Sequence, residues 1–490
     1  MSSKRWFILL IGVVLAVGAF SLYSAETPQL NNSNEVASTT DSSGGVLDTT
    51  DLSEQDYLEK IALALQIIEN QYVDEVDQTQ LVEGAINGML ETLDDPYSDY
   101  MDQETAKQFE ESLDSHFEGI GAEVSMVDGK VTIVAPIRDS PAERAGLQPN
   151  DQIIKIEGET IEGLSLNEAV LQIRGEKGTT VNLTIERPGA TEPIEFAIVR
   201  DEIPIETIVS EMIEQDGKNI GYIIISSFSI DTAERFEEAL TDLESQGLDG
   251  LVLDVRGNPG GYLNAVEKIG HLIVPGGEPI VQIENRSGEK ERHISSLNET
   301  KPYPIVGITD GASASASEIL SAALIEAGNY DVVGDTTFGK GTVQQTIPMG
   351  DGSQIKLSLF RWLTSGGNDI HNEGVEPTEK VMQPDYFYVP PITIQDEPLK
   401  AEMLNEQIKS AQAMLNGLGF DIDRDDGFFD EQTVSAVESF QKANGLEVSG
   451  EIDEETAAEM QNQIIEEVRD RANDQQLQRA IELAIEGSNE

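Results

Sequence analysis

The sequence predicts a multidomain α/β protein with an N-terminal apolar anchor, a helical segment, a β-rich domain, an α/β core and a small helical C-terminal domain. Three observations predict this class. The chain has 490 residues, more than one compact core usually holds, which favours several domains. Predicted strands and helices alternate from about Ile220 to Pro377, as in an α/β core. Stretches rich in Ser, Thr, Asn or Pro separate the parts at 25–50 and 385–400.

The composition excludes several classes of function. The chain has 31 Lys and Arg residues against 91 Asp and Glu residues, a formal net charge of −60, whereas nucleic-acid binding requires clustered basic residues. We therefore expect no nucleic-acid partner. The sequence contains no cysteine, which excludes disulfides and cysteine nucleophiles. Its 4 histidines are far apart and form neither HxxxH nor HExxH, so we expect no metal site, and nothing implies another cofactor.

The N-terminal segment 1–24 predicts export. An uncharged, mostly apolar run from Trp6 to Tyr23 directly follows two basic residues, which stay on the cytoplasmic side of a membrane. The sequence at 19–21 resembles a signal-peptide cleavage site, but the run continues past it and nearly spans a bilayer. We expect a single-pass membrane anchor with the rest of the chain on the extracytoplasmic face, or a secreted protein if the segment is cleaved.

The remaining segments follow from local patterns. Residues 51–115 carry apolar side chains at helical spacing. This helical segment fits either an element that forms a homodimer or a lid over a core, and the sequence does not choose between them. Short β-like runs with Gly and Asn at the turns predict the β-rich domain. The expected parts are a tether at 25–50, helices at 51–115, the β-rich domain at 116–202, the core at 203–384, a linker at 385–400, a helical unit at 401–460 and an acidic helical tail at 461–490.

The first motif that could carry catalytic chemistry places Ser315 between a predicted strand and a predicted helix. Together with Glu318 it forms the S-x-x-E pattern of a capping box, which alone would explain both residues. A serine at such a turn can also act as a nucleophile, because the next backbone N–H points at the position of an oxyanion. The local pattern allows both interpretations.

The second motif surrounds Lys340. The stretch GDTTFGKG nearly matches a phosphate-binding loop, but Gly341 replaces the hydroxyl that would hold Mg²⁺, and the acidic strand ending at Asp254 precedes the loop. We therefore reject nucleotide binding. A lysine kept neutral by burial can instead serve as the base for a serine nucleophile. Gln344 is predicted on the same strand face, where it could hydrogen-bond the amine. A surface lysine on a hairpin would have the same spacing.

The third motif, LDVRGNPGGYL, places Gly260 and Gly261 just after a buried strand. Glycines at such a position let backbone N–H groups approach a ligand closely. A tight turn before a helix would explain them equally well.

Taken in order, LDVRGNPGGYL, SASASEI and GKGTVQ resemble the motifs of the carboxyl-terminal processing peptidases, serine endopeptidases with a Ser/Lys dyad. The resemblance implies that Ser315 is the nucleophile, Lys340 the general base and Gln344 the orienting residue. It also implies an oxyanion hole made by the N–H groups of Ala316 and Gly261, with Gly260 as the less favoured choice in place of Gly261. The spacing to Lys340 selects Ser315 from three alternating serines.

Two further segments resemble known domains. Residues 116–202 resemble a PDZ domain, in which a strand edge captures a peptide C-terminus. FEGIGAEV would supply the carboxylate-binding loop, at Gly119, Ile120, Gly121 and Ala122. Residues 401–460 resemble the small three-helix peptidoglycan-binding domain. An aspartate-rich stretch there imitates a calcium loop, but Asp426 replaces the required glycine, so we do not expect calcium.

These expectations combine into one function. The protein would be an exported serine endopeptidase of the bacterial cell envelope that cleaves proteins near their C-termini. Its partners would be protein substrates with free C-termini, peptidoglycan, and the membrane through the N-terminal helix. The alternative is a non-catalytic PDZ and cell-wall adaptor with a degenerate peptidase core.

Overall fold

The computed structural model describes residues 53–488, apart from residues 114, 128, 138–139, 165, 189–191, 395–396 and 421. The anchor and the tether predicted at 1–24 and 25–50 therefore lie outside the described residues. Within the described part, no helix combines the length and apolarity needed to cross a membrane. The chain divides into two compact units, Met1–Gln78 and Thr79–Glu490.

The described part of the first unit is mainly the helix α1 (Glu54–Gln71). Ser53 caps this helix, because its side chain accepts from the Asp56 N–H while the Asp56 carboxylate accepts from the Ser53 N–H at 2.7 Å. Apolar side chains on α1 are exposed, among them Leu58 and Ile61 at 62% and 44%. The helical pattern predicted at the start of 51–115 is thus present.

Two helices and one short strand follow along the chain, all but Gln78 in the second unit. They are α2 (Gln78–Glu91), β1 (Asp99–Met101) and α3 (Gln103–Leu113).

The β-rich domain contains a sheet with strand order β3-β4-β5-β7-β8, and β6 pairs with β5. Its elements are β2 (His116–Gly119), β3 (Ala122–Val127), β4 (Lys130–Pro136), α4 (Pro141–Ala145), β5 (Gln152–Ile156), β6 (Glu159–Thr160), α5 (Leu166–Ile173), β7 (Thr180–Glu186), β8 (Ile194–Val199) and β9 (Asp201–Pro204). The strands β2 and β9 pair antiparallel where the chain enters and leaves the domain. In the sheet, β3 is an edge strand, so its outer backbone groups can pair with another chain.

The α/β core has a six-stranded sheet of order β10-β11-β12-β15-β16-β19, parallel except for β10. Its elements are β10 (Ile208–Gln215), β11 (Lys218–Ile225), α6 (Thr232–Ser245), β12 (Gly250–Asp254), α7 (Leu263–Ile273), β13 (Pro279–Glu284), β14 (Lys290–Ile294), β15 (Ile305–Thr309), α8 (Ala316–Glu326), β16 (Asp331–Gly334), β17 (Thr342–Pro348), β18 (Gln354–Leu363) and β19 (Glu379–Lys380). A second sheet has the order β1-β18-β13-β14, with β17 also paired to β18.

The C-terminal region contains three helices with their own core and a fourth helix that packs elsewhere. They are α9 (Glu406–Gly417), α10 (Glu431–Asn444), α11 (Glu454–Arg469) and α12 (Gln475–Gly487). The first three enclose Phe429, Phe440 and Met460. The division predicted between 460 and 461 falls inside α11.

The helix α12 covers one face of the six-stranded sheet. Leu477 and Ile481 share a buried cluster with Val252 of β12, whereas the alternate residues Leu251 and Leu253 point to the cluster formed with α6, α7 and α8. Both faces of β12 are therefore covered, which explains its continuous apolar sequence. The helix predicted as part of an acidic tail belongs to the packing of the α/β core.

Candidate active site

The three motifs follow the carboxyl ends of neighbouring parallel strands. The glycine pair follows β12, Ser315 follows β15, and Lys340 follows β16. The carboxyl ends of parallel strands meet at one edge of the sheet, where α/β proteins commonly bind ligands. The topology therefore brings together the three segments that the sequence singled out.

Ser315 occupies a strained turn directly before α8. Its backbone angles are φ 55° and ψ −111°, a conformation that non-glycine residues seldom adopt and that costs on the order of 1–3 kcal/mol. Gly260 lies against this turn, since a Cβ built there would be 2.8 Å from the Ala314 carbonyl oxygen and 2.8 Å from the Ser315 Cβ. The close approach of the two loops therefore requires glycine at 260.

Only the middle one of the three alternating serines is accessible. Ser313 and Ser317 are fully buried, and their hydroxyls donate to carbonyl oxygens of Val255 at 2.8 Å and of Asn258 at 2.9 Å. Ser315 is partly exposed. The flanking hydroxyls thus hold the serine turn against the loop after β12, and the Ser315 side chain is the one that a substrate can reach.

Two backbone N–H groups beside Ser315 have no acceptor among the described residues, those of Ala316 and Gly261. The N–H of Gly260, in contrast, donates to the Asn258 side chain at 2.8 Å. Asn258 is fully buried and its amide also donates to the Ile225 carbonyl oxygen at 2.8 Å, which fixes the loop. Gly261 and Ala316 are therefore better placed than Gly260 to donate to an oxyanion.

Lys340 is held by its backbone and is largely withdrawn from water. Its carbonyl oxygen accepts from the Trp362 indole N–H at 2.7 Å, and its Nζ lies 4.9 Å from the centroid of the Tyr97 ring. Burial lowers the pKa of Lys340 below its ordinary value, and the neighbouring charge of Lys356 lowers it further. The charges of Glu318 and Asp95 act in the opposite direction.

The predicted contact between Gln344 and the lysine amine is not formed in the structure. The Gln344 amide donates to Thr342 Oγ1 at 2.8 Å and to Ser358 Oγ at 3.1 Å. Lys340 precedes β17 rather than lying on it, and the pairing with β18 shifts register between Val343 and Gln344, so the simple alternation of faces fails here. Within the described residues, no hydrogen bond joins Ser315 Oγ to Lys340 Nζ.

The sequence interpretation missed three neighbours of Lys340. Tyr97 and Lys356 carry no signal in the sequence, because strand pairing brings them close to Lys340. Lys356 lies on β18, which pairs with β17, and Tyr97 precedes β1, which pairs with β18. The sequence pattern predicts Glu318 only as a capping partner of Ser315. The predicted capping contact is present, with the Ser315 N–H donating to Glu318 Oε2 at 2.7 Å, but the same carboxylate also binds the lysine loop.

The predicted peptide-binding loop connects β2 to the edge strand β3. Gly119 ends β2, Ala122 begins β3, and the N–H groups of Ile120 and Gly121 have no acceptor among the described residues. Gly121 has φ 73°, and a Cβ there would lie 2.5 Å from Ser140 Cβ, so the loop requires glycine. The arrangement offers two N–H groups at the end of a strand edge.

The domains match described families. Peptidase family S41 is matched over residues 219–381, a PDZ domain over 119–198, a peptidoglycan binding domain over 405–460 and the N-terminal domain of the activating protease CtpB over 15–105. The chain belongs to the carboxy-terminal processing serine proteases of peptidase family S41. The predicted multidomain fold and the predicted class of enzyme are confirmed.

Relatives match along most of the chain. The chain is 54% identical to carboxy-terminal processing protease CtpB of Bacillus subtilis (strain 168), over 86% of this chain and 88% of the relative. It is 40% identical to CtpA of the same strain, over 98% of both chains. A solved structure of the photosystem II D1 C-terminal processing protease is 25% identical with a TM-score of 0.42, covering 68% of this chain and 94% of that one.

Proposed function

We propose that this processing protease is an exported, membrane-anchored endopeptidase that cleaves proteins near their C-termini with a Ser315/Lys340 dyad. One observation carries the proposal: the accessible serine of the strained turn lies beside two N–H groups that have no acceptor among the described residues and beside the loop of a partly buried lysine. Zinc, cysteine or histidine is not required for this chemistry, because a neutral amine can accept the serine proton.

The proposed reaction has two halves. Ser315 Oγ attacks the scissile carbonyl carbon and its proton passes to Lys340 Nζ, while the N–H groups of Gly261 and Ala316 stabilise the oxyanion. Collapse of the intermediate breaks the C–N bond, and Lys340 returns the proton to the leaving amine. Lys340 then takes a proton from water, which attacks the acyl-enzyme, and the proton finally returns to Ser315 Oγ as the acid product leaves.

The dyad requires that Lys340 Nζ come within hydrogen-bonding distance of Ser315 Oγ. Catalytic hydrogen bonds are often long in the absence of substrate and shorten in the complex. We propose that Gln344 orients Lys340 when its Nζ is within hydrogen-bonding distance of Ser315 Oγ. Its contacts with Thr342 and Ser358 support it, since they hold the start of β17 next to Lys340.

Substrate capture would use the PDZ domain. A peptide would add to the exposed edge of β3, and its terminal carboxylate would accept from the loop formed by Gly119, Ile120, Gly121 and Ala122. Amidating the C-terminus of a substrate should then raise KM while leaving the scissile bond unchanged. Equal kinetics for the acid and the amide would remove the PDZ domain from substrate delivery.

The location rests on the terminal domains. The apolar run 6–23 would anchor the chain, and the peptidoglycan-binding domain would hold it at a bacterial cell wall. The exposed apolar residues of α1 favour a homodimer through the N-terminal helices. Fractionation of the full chain and of a variant lacking residues 1–24 measures anchoring. Recovery of the full chain in the soluble fraction would refute the anchor.

The experiment that tests the dyad compares Ser315→Ala, Lys340→Ala and their double variant on a denatured protein substrate. Each should lose activity to a similar extent, because residues that act as one unit are not additive. Ser321→Ala is the matched control, since Ser321 is buried on α8, the helix that follows Ser315, and its hydroxyl donates to the Ser317 carbonyl oxygen. Full activity of Lys340→Ala would reject the dyad, and an inactive wild type would favour the adaptor.

A further inference from the structure

A single buried carboxylate joins the serine turn to the lysine loop. Glu318 Oε2 accepts from the N–H groups of Ser315 at 2.7 Å and Lys340 at 2.8 Å. Glu318 Oε1 accepts from Thr337 Oγ1 and from the Gly339 N–H, both at 2.6 Å. The two segments follow the neighbouring strands β15 and β16. A backbone bond from the Phe338 N–H to the Ser313 carbonyl oxygen at 3.0 Å also joins them, but Glu318 is the acceptor that Ser315 and Lys340 share.

These contacts exceed what helix capping needs. A capping box uses one contact from the carboxylate to the N-cap backbone, here the bond from Ser315. Glu318 is 0% exposed, and within the described residues no Lys, Arg or His nitrogen lies within 4.0 Å of its carboxylate. Burying an unpaired charge is unfavourable unless hydrogen bonds to the charged form replace its hydration. The three bonds from the lysine loop supply most of that replacement.

We propose that Glu318 is a positioning residue that fixes the Ser315 turn and the Lys340 loop in one catalytic arrangement. The proposal rests on the proposed dyad. All four groups that Glu318 contacts are donors, and only a carboxylate offers acceptors at both oxygens. A glutamine would place an NH₂ group against two of these donors, so one pair of contacts would be lost.

Glu318 also acts on the base through its charge. The carboxylate stabilises the protonated form of Lys340 and so opposes the effect of burial on the pKa of that lysine. Removing the charge should lower the pKa of Lys340 further. Because the dyad requires neutral lysine, kcat/KM should increase with pH as Lys340 loses its proton. In a variant without the Glu318 charge, this increase should occur at lower pH. A purely structural role for Glu318 would not move this limb of the pH profile.

The test measures kcat, KM and the pH profile of Glu318→Gln in the full chain. We expect a loss of about 100-fold in kcat, the effect of misplacing reacting groups by about 1 Å, with KM changed by less than about threefold. The rise of kcat/KM should shift to lower pH. Glu244→Gln is the control for loss of a hydrogen-bonded carboxylate elsewhere, since Glu244 is an exposed residue on α6 that accepts from Lys301 and Tyr303.

A second pair of variants covers the case in which Glu318→Gln does not fold. Thr337→Val removes one donor to Glu318 Oε1, whereas Thr337→Ser keeps it. Thr337→Val should lower kcat by roughly tenfold, whereas Thr337→Ser should have the kcat of the unchanged protein. Unchanged kcat in a folded Glu318→Gln or in Thr337→Val would overturn the proposal, as would an unshifted pH profile. Activity in Lys340→Ala would instead refute the dyad itself, so the two failures are distinguishable.

Discussion

Replacing Gly261 by alanine should test the oxyanion hole directly. A Cβ at this position would lie 2.3 Å from the Phe228 carbonyl oxygen and 2.7 Å from its carbonyl carbon. Since close contacts between a carbon and a carbonyl oxygen normally lie near 3.3–3.6 Å, the loop would have to move by about 1 Å. The φ of 144° at Gly261 adds backbone strain for any L side chain.

That movement would displace the Gly261 N–H, which has no acceptor among the described residues. Loss of an oxyanion donor typically lowers kcat by about 100- to 1,000-fold, or roughly 3–4 kcal/mol of transition-state stabilisation. We therefore expect this loss in Gly261→Ala, with a much smaller change in KM because the ground-state carbonyl depends less on the donor. The assay is steady-state cleavage of a fluorogenic peptide with a free C-terminus, accompanied by thermal unfolding.

Gly257→Ala is the control for backbone strain alone. Gly257 lies in the same loop with φ 67°, but nothing lies within 4 Å of a Cβ built there. This variant should lose about 1–2 kcal/mol of unfolding free energy and keep its turnover. Equal loss of kcat in both variants would mean that loop stability, not a lost donor, explains the effect. Normal turnover in a folded Gly261→Ala would remove its N–H from the oxyanion hole.

Three further outcomes follow from the same structure. Lys356→Gln removes a charge that lowers the pKa of Lys340, so the increase of kcat/KM with pH should move to higher pH. This shift is opposite to the one expected for Glu318→Gln, and an unchanged pH profile would contradict it. Ile481→Ala on α12 should lower the free energy of unfolding by about 2–4 kcal/mol, whereas the exposed Ile465→Ala should change it by less than about 0.5 kcal/mol in chemical denaturation. Gly121→Ala should raise KM for substrates with a free C-terminus, measured against the amidated substrate, for which no further increase is expected.

The local part of the site could be predicted from the sequence. Each motif lies within a few residues of a strand end, and strand–helix alternation implies a parallel sheet that gathers those ends. The choice of Ser315 depended on its spacing to Lys340. The structure adds an independent reason, because the hydroxyls of Ser313 and Ser317 are engaged inside the protein.

The non-local part could not be predicted in this way. The burial of Lys340 depends on Tyr97, which reaches it through the pairing of β1 with β18. The apolar positions of α12, such as Leu477 and Ile481, have the spacing of any amphipathic helix and do not indicate which surface they cover. In the case of Gln344, a register shift in β17 broke the alternation on which the predicted contact depended.

The site combines two requirements that oppose each other at Lys340. The base must be neutral, which favours an environment without negative charge, yet the loops are joined by the carboxylate of Glu318. Burial and the charge of Lys356 outweigh that carboxylate, since the pKa of Lys340 is lowered. A neutral amide at 318 would make the lysine easier to deprotonate but would leave one pair of the four donors without an acceptor. The geometry of the loops therefore explains why a carboxylate is present next to Lys340, although its charge stabilises the protonated lysine, which cannot accept the serine proton.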